Sequence, residues 1–316
     1  MSKPSFRWII GNESAAQGVF FRAGQNAMER SGYLIEKYND MGNAYTCRRL
    51  LSEAAAVGLK LCMVGVNDTY FLNGALCNGG RRLEPRDFAL IRYKTGQIKD
   101  GINALCGRSY NPLPAFNSHI NKLFQLTHLS SDAFRKPHYL AMTGSADFGF
   151  VADRLGLPFV AKGLESSMGQ EIFLVKDRKD FAAVLSRFSP EKEWLFEEYI
   201  SASAGRDIRL FSIRGRAAAA MERRSESDFR ANVALGSSVR PLDITPAFSR
   251  IAEDIYRQTC LDVLGIDLLY GEDEPYFCEI NVMPGLEGIE KASGLNIAGE
   301  ILQMIKGDLD DDERRS

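Results

Sequence analysis

Tyr276-Phe277-Cys278-Glu279-Ile280-Asn281-Val282-Met283-Pro284-Gly285 is the stretch on which the reading of this chain turns. A strand alternates its side chains, so Phe277, Glu279 and Asn281 are expected on one face and Cys278 and Ile280 on the other. One face then offers a carboxylate and an amide two residues apart, and Pro284-Gly285 ends the strand. Upstream, Gly265-Ile266-Asp267-Leu268-Leu269-Tyr270 is a second apolar strand with a single acid, and Gly271-Glu272-Asp273-Glu274-Pro275 between the two reads as a hairpin turn. Paired, these strands bring Asp267, Glu279 and Asn281 together as an all-oxygen donor set. Such a set suits Mg²⁺, which takes one or two carboxylates and completes its shell with water and phosphate. An amphipathic hairpin with a polar outer face has the same spacing, and spacing alone leaves both readings open.

Composition excludes several classes. With 316 residues, 45% hydrophobic and 25% charged, the chain has the make-up of an ordinary soluble protein of two or three lobes. A net charge of −2 provides no basic field for nucleic acid. No apolar run reaches the length of a membrane span and no signal-peptide apolar core opens the sequence, so neither a nucleic-acid nor a membrane partner is expected. The six cysteines never form a C-x-x-C pair and sit mostly in apolar runs, as buried thiols of a cytoplasmic protein do. His119, His128 and His138 lack zinc-ligand spacing.

Along the chain, strands and helices alternate. A strand at Tyr33–Tyr38, a helix over Arg48–Val57 and a strand at Leu59–Val64 form a β-α-β unit, with a further strand at Phe88–Tyr93. Arg7–Ile10 is an ambiguous strand. Asn111-Pro-Leu-Pro114 marks a boundary, a helix is expected from about Ser118 to Leu129, and strands follow at Pro158–Lys162, Glu171–Val175 and Glu193–Ile200. Arg206 to Arg224 reads as a hairpin turning near Gly215. Thr245-Pro246 starts a long helix expected to end near Gly265. The charge cluster from Gly307 to Ser316 is expected to be a disordered tail.

Phosphate chemistry needs donors as well as metal. Lys162 closes an apolar strand and precedes Gly163-Leu164-Glu165-Ser166-Ser167-Met168-Gly169, a run of small residues before the next strand. Such a loop can lay backbone N–H groups and hydroxyls against a triphosphate, with the lysine as a point charge. It is not a Walker A sequence, and an ordinary hairpin turn has the same composition. Arg92, alone in an apolar strand, has two readings: a partner for a substrate carboxylate or for a neighbouring acid.

Taken in order, Lys162 with its Ser-Ser-x-Gly loop, Phe196-Glu197-Glu198-Tyr199-Ile200, Asp267 and Glu279-x-Asn281-x-x-Pro284-Gly285 resemble the motifs of ATP-grasp enzymes. The resemblance is closest to the RimK-type carboxylate–amine ligases, of the alpha-L-glutamate ligase kind. It is carried further by Gly205-Arg-Asp207-Ile-Arg209, Ala220-Met-Glu222-Arg223-Arg224, Asp228-Phe-Arg230-Ala-Asn232 and Pro284-Gly-Leu-Glu-Gly-Ile-Glu-Lys291, and covers roughly residues 116 to 306. The resemblance implies an α/β protein with α+β lobes in the ATP-grasp fold. Residues 1–115 would form an N-terminal βαβ (pre-ATP-grasp) lobe, 116–192 a central lobe with the phosphate loop, 193–306 a C-terminal lobe with the metal site, and 307–316 the tail. It also implies roles. Lys122 and Lys162 would reach ATP, and Ser166, Ser167 and Gly169 would form a lid over its phosphates. Glu197, Glu198, Tyr199 and Ile200 would meet adenine through their backbone, and Asp207 the ribose. Arg223, Arg230 and Asn232 would face the γ-phosphate and the reacting carboxylate. Asp267, Glu279 and Asn281 would hold two ions of Mg²⁺ or Mn²⁺, with Glu279 bridging.

The activity implied is ATP-dependent formation of a peptide or isopeptide bond through an acyl phosphate, adding an amino acid such as glutamate to a carboxylate on a small molecule, peptide or protein tail. The oligomeric state, homo-oligomer included, is left open. Departures are visible: Ser166 and Glu171 stand where the RimK type commonly has glycine, and Ser-Ser-Met-Gly169 is more similar to the loop of D-alanine–D-alanine ligases. An ATP-grasp kinase and a non-catalytic ATP-binding module are the alternatives. Near-neutral charge weighs against a kinase of polyphosphates, and the presence of all three metal ligands weighs against the module.

Overall fold

The computed structural model describes residues 30–164, 171–226, 228–231 and 238–315. The strand expected at residues 7–10, and Ser166, Ser167, Gly169 and Asn232, lie outside the described residues.

Tyr33-Leu34-Ile35 has no polar alternation, as a strand covered on both faces requires. It lies in β1 (Ser31–Glu36), followed by α1 (Tyr45–Ala56) and β2 (Lys60–Gly65), which pairs with β1 in parallel. A small antiparallel insertion, β3 (Thr69–Leu72), β4 (Ala75–Asn78) and β5 (Arg81–Arg82), precedes β6 (Arg86–Ile91). Then α2 (Gln97–Ala104) leads to β7 (Cys106–Tyr110), completing a parallel sheet in the order β2-β1-β6-β7.

The single helix expected over residues 118–129 is instead two, α3 (Leu113–Ser118) and α4 (Lys122–His128). Asn121 separates them with an extended backbone, and its side-chain oxygen accepts from Phe124 N at 3.0 Å, capping a fresh helix. Next come β8 (Tyr139–Thr143), α5 (Phe148–Leu155), β9 (Phe159–Gly163), β10 (Ile172–Val175), α6 (Arg178–Leu185) and β11 (Glu193–Glu198). The sheet is antiparallel, ordered β10-β9-β11-β8. Phe159, Ala161, Trp194 and Phe196 point into a core shared with Val151 of α5 and Phe181 of α6. Period-2 alternation therefore sends Lys162 of β9 and Glu197 of β11 to the opposite face, where both are buried.

The third unit begins with β12 (Arg206–Ile213) and β13 (Arg216–Arg224), joined by Arg214-Gly215 with φ of 49° and 76°. Two left-handed residues make the tight turn that matches strand twist, which is why glycine stands there. β14 (Ser238–Leu242), α7 (Pro246–Thr259), β15 (Val263–Leu269) and β16 (Tyr276–Asn281) complete a sheet ordered β14-β13-β12-β15-β16. Thr245 caps α7 as expected, accepting from Phe248 N at 3.1 Å. The helix stops at Thr259 rather than near Gly265, because Cys260 takes a left-handed conformation and the apolar run from Val263 is a buried strand.

The chain closes with α8 (Glu287–Ser293) and α9 (Ile297–Arg315). The tail expected to be disordered is thus helical through Arg315. Buried Leu309 and ion pairs of Asp308 with Arg214 and Arg108, and of Glu313 with Arg30, hold it to the rest of the molecule. One apolar cluster runs from Tyr33 and Ile35 to Ile266 and Ile280, another from Leu34 and Leu50 to Ile301 and Leu302. The first and third units therefore share their cores, while the β8–β11 unit has its own and also adds Leu195 to the first cluster.

Candidate active site

The β15–β16 hairpin forms as its sequence predicts, with Asp267 opposite Glu279 and Gly265 opposite Asn281. The three oxygen-bearing side chains thus share one face. The alternation does not hold throughout, because Leu268 pairs with Phe277 and a bulge falls at Cys278. Phe277 turns into the core and stacks on Phe134, and Cys278 comes round to within 3.7 Å of Lys162 Nζ. The expectation that Phe277 shares the face of Glu279 and that Cys278 opposes it is corrected accordingly.

Asp267 is buried and held by two arginines. It accepts from Arg209 Nε at 2.7 Å and Nη2 at 2.6 Å, and from Arg223 Nη2 at 3.0 Å. Arg223 also makes a two-bond fork to Asp207, both at 2.6 Å. Burial works against ionisation of Asp267, but Arg209 and Arg223 outweigh it and hold the carboxyl down at about 2. Burial pushes Asp207 up to about 6 against the stronger pull of Arg223 and the weaker pull of Arg209, with the neighbouring Asp267 carboxylate adding to the rise. A carboxylate has about four acceptor positions, so Asp267, using three, keeps one for a cation.

From the facing sheet, Lys162 Nζ lies 2.5 Å from Glu197 Oε2. Burial would neutralise the ammonium, while Cys278 and Glu197 raise its pKa. Since burial pushes the Cys278 thiol up to about 12, Glu197, with Glu279 a weaker second anion, keeps Lys162 charged at neutral pH. Lys122 of α4 reaches Glu279 at 3.4 Å, and its backbone N–H donates to the Leu164 carbonyl at 3.0 Å, just beyond β9. Lys122, Lys162, Glu197, Cys278 and Glu279 therefore meet where the two sheets face each other.

The remaining predicted residues divide. Glu197 and Glu198 lie within β11, paired with β8 and β9, so only Tyr199 and Ile200 extend past the ladder. Glu197 Oε1 is buried without a hydrogen-bond partner among the described residues. Arg230 forks onto Asp228 at 3.0 and 2.6 Å. Asn281 Oδ1 accepts from Met283 N at 2.9 Å. Glu171, the acid in place of a glycine, is paired with Lys192 at 2.6 Å. Arg92 pairs with Glu36 at 2.9 Å and donates to the Pro284 carbonyl at 3.1 Å, so the neighbouring acid is its partner and it ties the first unit to the turn after β16.

Sequence reasoning missed the role of Arg209, which enters there only as the end of the run Gly205-Arg-Asp207-Ile-Arg209. Its position two residues after Asp207, on the same strand face, was the available signal. Among the described residues no three His, Cys, Asp or Glu side chains group to hold a metal. The donor set is two carboxylates and an amide, a composition suited to Mg²⁺.

A family model for the RimK-like ATP-grasp domain matches residues 131–305, more than half of the chain. The chain belongs to the RimK-like ATP-grasp family. It is 31% identical over 279 residues to a probable alpha-L-glutamate ligase of Thioalkalivibrio sulfidiphilus (strain HL-EbGR7), an alignment covering 83% of this chain and 91% of that protein. It is also 31% identical over 283 residues to the ribosomal protein bS6--L-glutamate ligase of Escherichia coli O139:H28 (strain E24377A / ETEC), covering 84% and 93%. Among solved structures, the ATP-grasp ligase PsnB complexed with minimal precursor matches with a TM-score of 0.67, at 16% identity over 89% of this chain and 99% of that one. That likeness is one of fold. The ATP-grasp architecture and an ATP-dependent ligase activity forming C–N bonds follow from this membership. Among the described residues no helix is long and apolar enough to cross a membrane.

Proposed function

We propose that this ATP-grasp ligase activates a carboxylate as an acyl phosphate and joins it to the amino group of an amino acid such as glutamate, releasing ADP and phosphate. The acceptor would be a carboxylate on a small molecule, a peptide or a protein tail. The observation that carries this reading is the meeting of Lys162, Lys122 and Glu279 from two sheets and α4 at one place, beside the Asp267–Arg209–Arg223–Asp207 chain.

Each group has a task in that chemistry. Transfer of the γ-phosphoryl to a carboxylate brings two anions together, so positive charge must already be in place. Lys162 and Lys122, fixed by Glu197 and Glu279, supply it on one side, and Arg223 and Arg209 on the other. The unpartnered Glu197 Oε1 fits a nucleotide, whose adenine amino group is a donor that would satisfy it. Tyr199 and Ile200, past the end of the β11 ladder, are placed to meet the same ring edge. Asp267, Glu279 and Asn281 would hold two Mg²⁺ or Mn²⁺ ions, which when bound shield the phosphate oxygens. Asp207 is paired with Arg223, and its role towards the ribose belongs to the same proposal, as do Arg230 towards the acceptor carboxylate and the lid role of Ser166, Ser167 and Gly169. No covalent enzyme nucleophile is required.

The test is ADP release from Mg-ATP with and without a pool of amino acids and short acidic peptides, with product masses read from the same mixtures. Pool-dependent ADP accompanied by a mass equal to two components less water is expected. Pool-dependent phosphorylation without condensation would replace the ligase with a kinase.

A further inference from the structure

β16 is the outermost strand of its sheet, so alternate backbone groups along it face away from β15 and must find partners elsewhere. At Ile280 that partner is a side chain. Gln125 of α4, 2% exposed, accepts from Ile280 N at 2.8 Å through Oε1 and donates to Ile280 O at 3.1 Å through Nε2. The second N–H of the same amide goes to His119 O at 2.6 Å. One buried amide thus substitutes for a rung of strand pairing.

The place of that rung matters. The N–H of Ile280 belongs to the peptide group joining Glu279 to Ile280, and its carbonyl to the group joining Ile280 to Asn281. Gln125 therefore fixes both peptide planes lying between the Glu279 and Asn281 side chains. Three residues earlier on the same helix, Lys122 approaches Glu279 itself and ties the end of β9 through Leu164. A purely packing residue at this site would be apolar, since a buried amide is tolerated only when its hydrogen bonds are made.

We propose that Gln125 is a positioning residue for the metal site: by clamping both peptide groups between Glu279 and Asn281 it sets the spacing of their side-chain oxygens for a divalent cation. This rests on the reading of Asp267, Glu279 and Asn281 as the metal ligands. Groups that orient ligands are worth about 10–100-fold in metal affinity, and Gln125 belongs to that class through the backbone.

The experiment measures free Mn²⁺ by electron paramagnetic resonance during titration of wild type, Gln125→Met, Gln125→Asn and Glu279→Ala with a non-hydrolysable ATP analogue present. Gln125→Met keeps the volume and deletes the three hydrogen bonds, and Gln125→Asn keeps the amide but draws it back by one methylene. Both are expected to raise the Mn²⁺ dissociation constant by about 10-fold or more, with affinity for ADP in EDTA unchanged and hydrogen exchange at the Ile280 amide accelerated. A Mn²⁺ constant matching wild type in a folded Gln125 variant, while Glu279→Ala loses the ion, would reduce Gln125 to a structural role. Wild-type Mn²⁺ binding by Glu279→Ala would instead remove the metal site and this inference with it. If Gln125→Met does not fold, Gln125→Asn decides on the same criteria.

Discussion

Removing Lys162 should have two separable consequences, and their separation tests how the site is built. Its side chain is 6% exposed and that of Glu197 3%, with N and O 2.5 Å apart. At an effective dielectric constant near 20, Coulomb attraction at that distance is about 7 kcal/mol. Desolvating both ions offsets most of it, so the intact pair contributes little net stability. Loss of one partner is different, because the other charge stays buried and uncompensated at about 3–5 kcal/mol. Lys162→Met should therefore lower the denaturation midpoint by roughly 5–8 °C, at about 1.5 °C per kcal/mol from an unfolding entropy of about 2.1 cal/mol/K per residue over 316 residues. Adding Glu197→Gln removes the stranded charge and should recover most of that loss. Mg-ATP binding should behave otherwise. If Lys162 serves the phosphates, the double variant regains stability without regaining affinity. Thermal denaturation and calorimetric titration on wild type, both singles and the double complete the cycle. A Lys162→Met variant as stable as wild type would refute the ion-pair reasoning. Recovery of ATP affinity in the double variant would refute the phosphate role.

Asp207, pushed up to about 6 by burial against the pull of Arg223, binds its proton more tightly folded than unfolded. Its contribution to stability is present below the ordinary carboxylate pKa and is lost as pH rises through about 6. Relative to Asp207→Asn, wild type should therefore lose stability between about pH 4 and pH 6 and run level above, and a constant difference across that window would contradict the assignment. Truncation after Lys306 should cost about 3–5 kcal/mol, since it uncovers the apolar face that 5%-exposed Leu309 fills and strips Tyr110 and Arg214 of Asp308. Unchanged urea denaturation would return the tail to the dispensable status its composition suggests. Chelating divalent cations should weaken ATP binding by about 10-fold or more, through the same oxygens that Gln125 is inferred to space. Equal affinity in EDTA and in Mg²⁺ would count against the Asp267–Glu279–Asn281 assignment.

How much of this was legible in the chain depends on how local each cause is. Lys162 at a strand end, Thr245-Pro246 at a helix start and the Asp267–Glu279 hairpin follow from period and turn chemistry within a few residues. Strand alternation sends Arg223 and Arg224 to opposite faces, and Arg223 is buried while Arg224 is exposed. What failed has causes far away. The bulge at Cys278 exists because β16 must satisfy the register of β15 on one side and the packing of Phe277 against Phe134 on the other. The helix through residues 307–315 has the composition of a disordered tail and is held by Arg30, Arg108, Tyr110 and Arg214 from the first and third units. Gln125 is one polar residue on a short helix, and nothing in its neighbourhood announces a backbone partner at Ile280.

Charge balance links these cases. Lys162 faces Glu197, Lys122 faces Glu279, Arg209 faces Asp267, and Arg223 is shared by Asp207 and Asp267. Each of these cations is held by an acid of the protein. A polyanionic nucleotide entering alone would compete with buried carboxylates for the same ammonium and guanidinium groups, at a cost in desolvation that weakens its binding. On the proposed assignment, a nucleotide whose charge is already offset by divalent cations would meet no such competition, because the cations would take the carboxylate oxygens while the phosphates take the lysines and arginines. The acids that pair with these cations would, on that assignment, make metal and nucleotide binding mutually dependent, so that removing Lys162, Glu279 or the cation should each weaken the same complex.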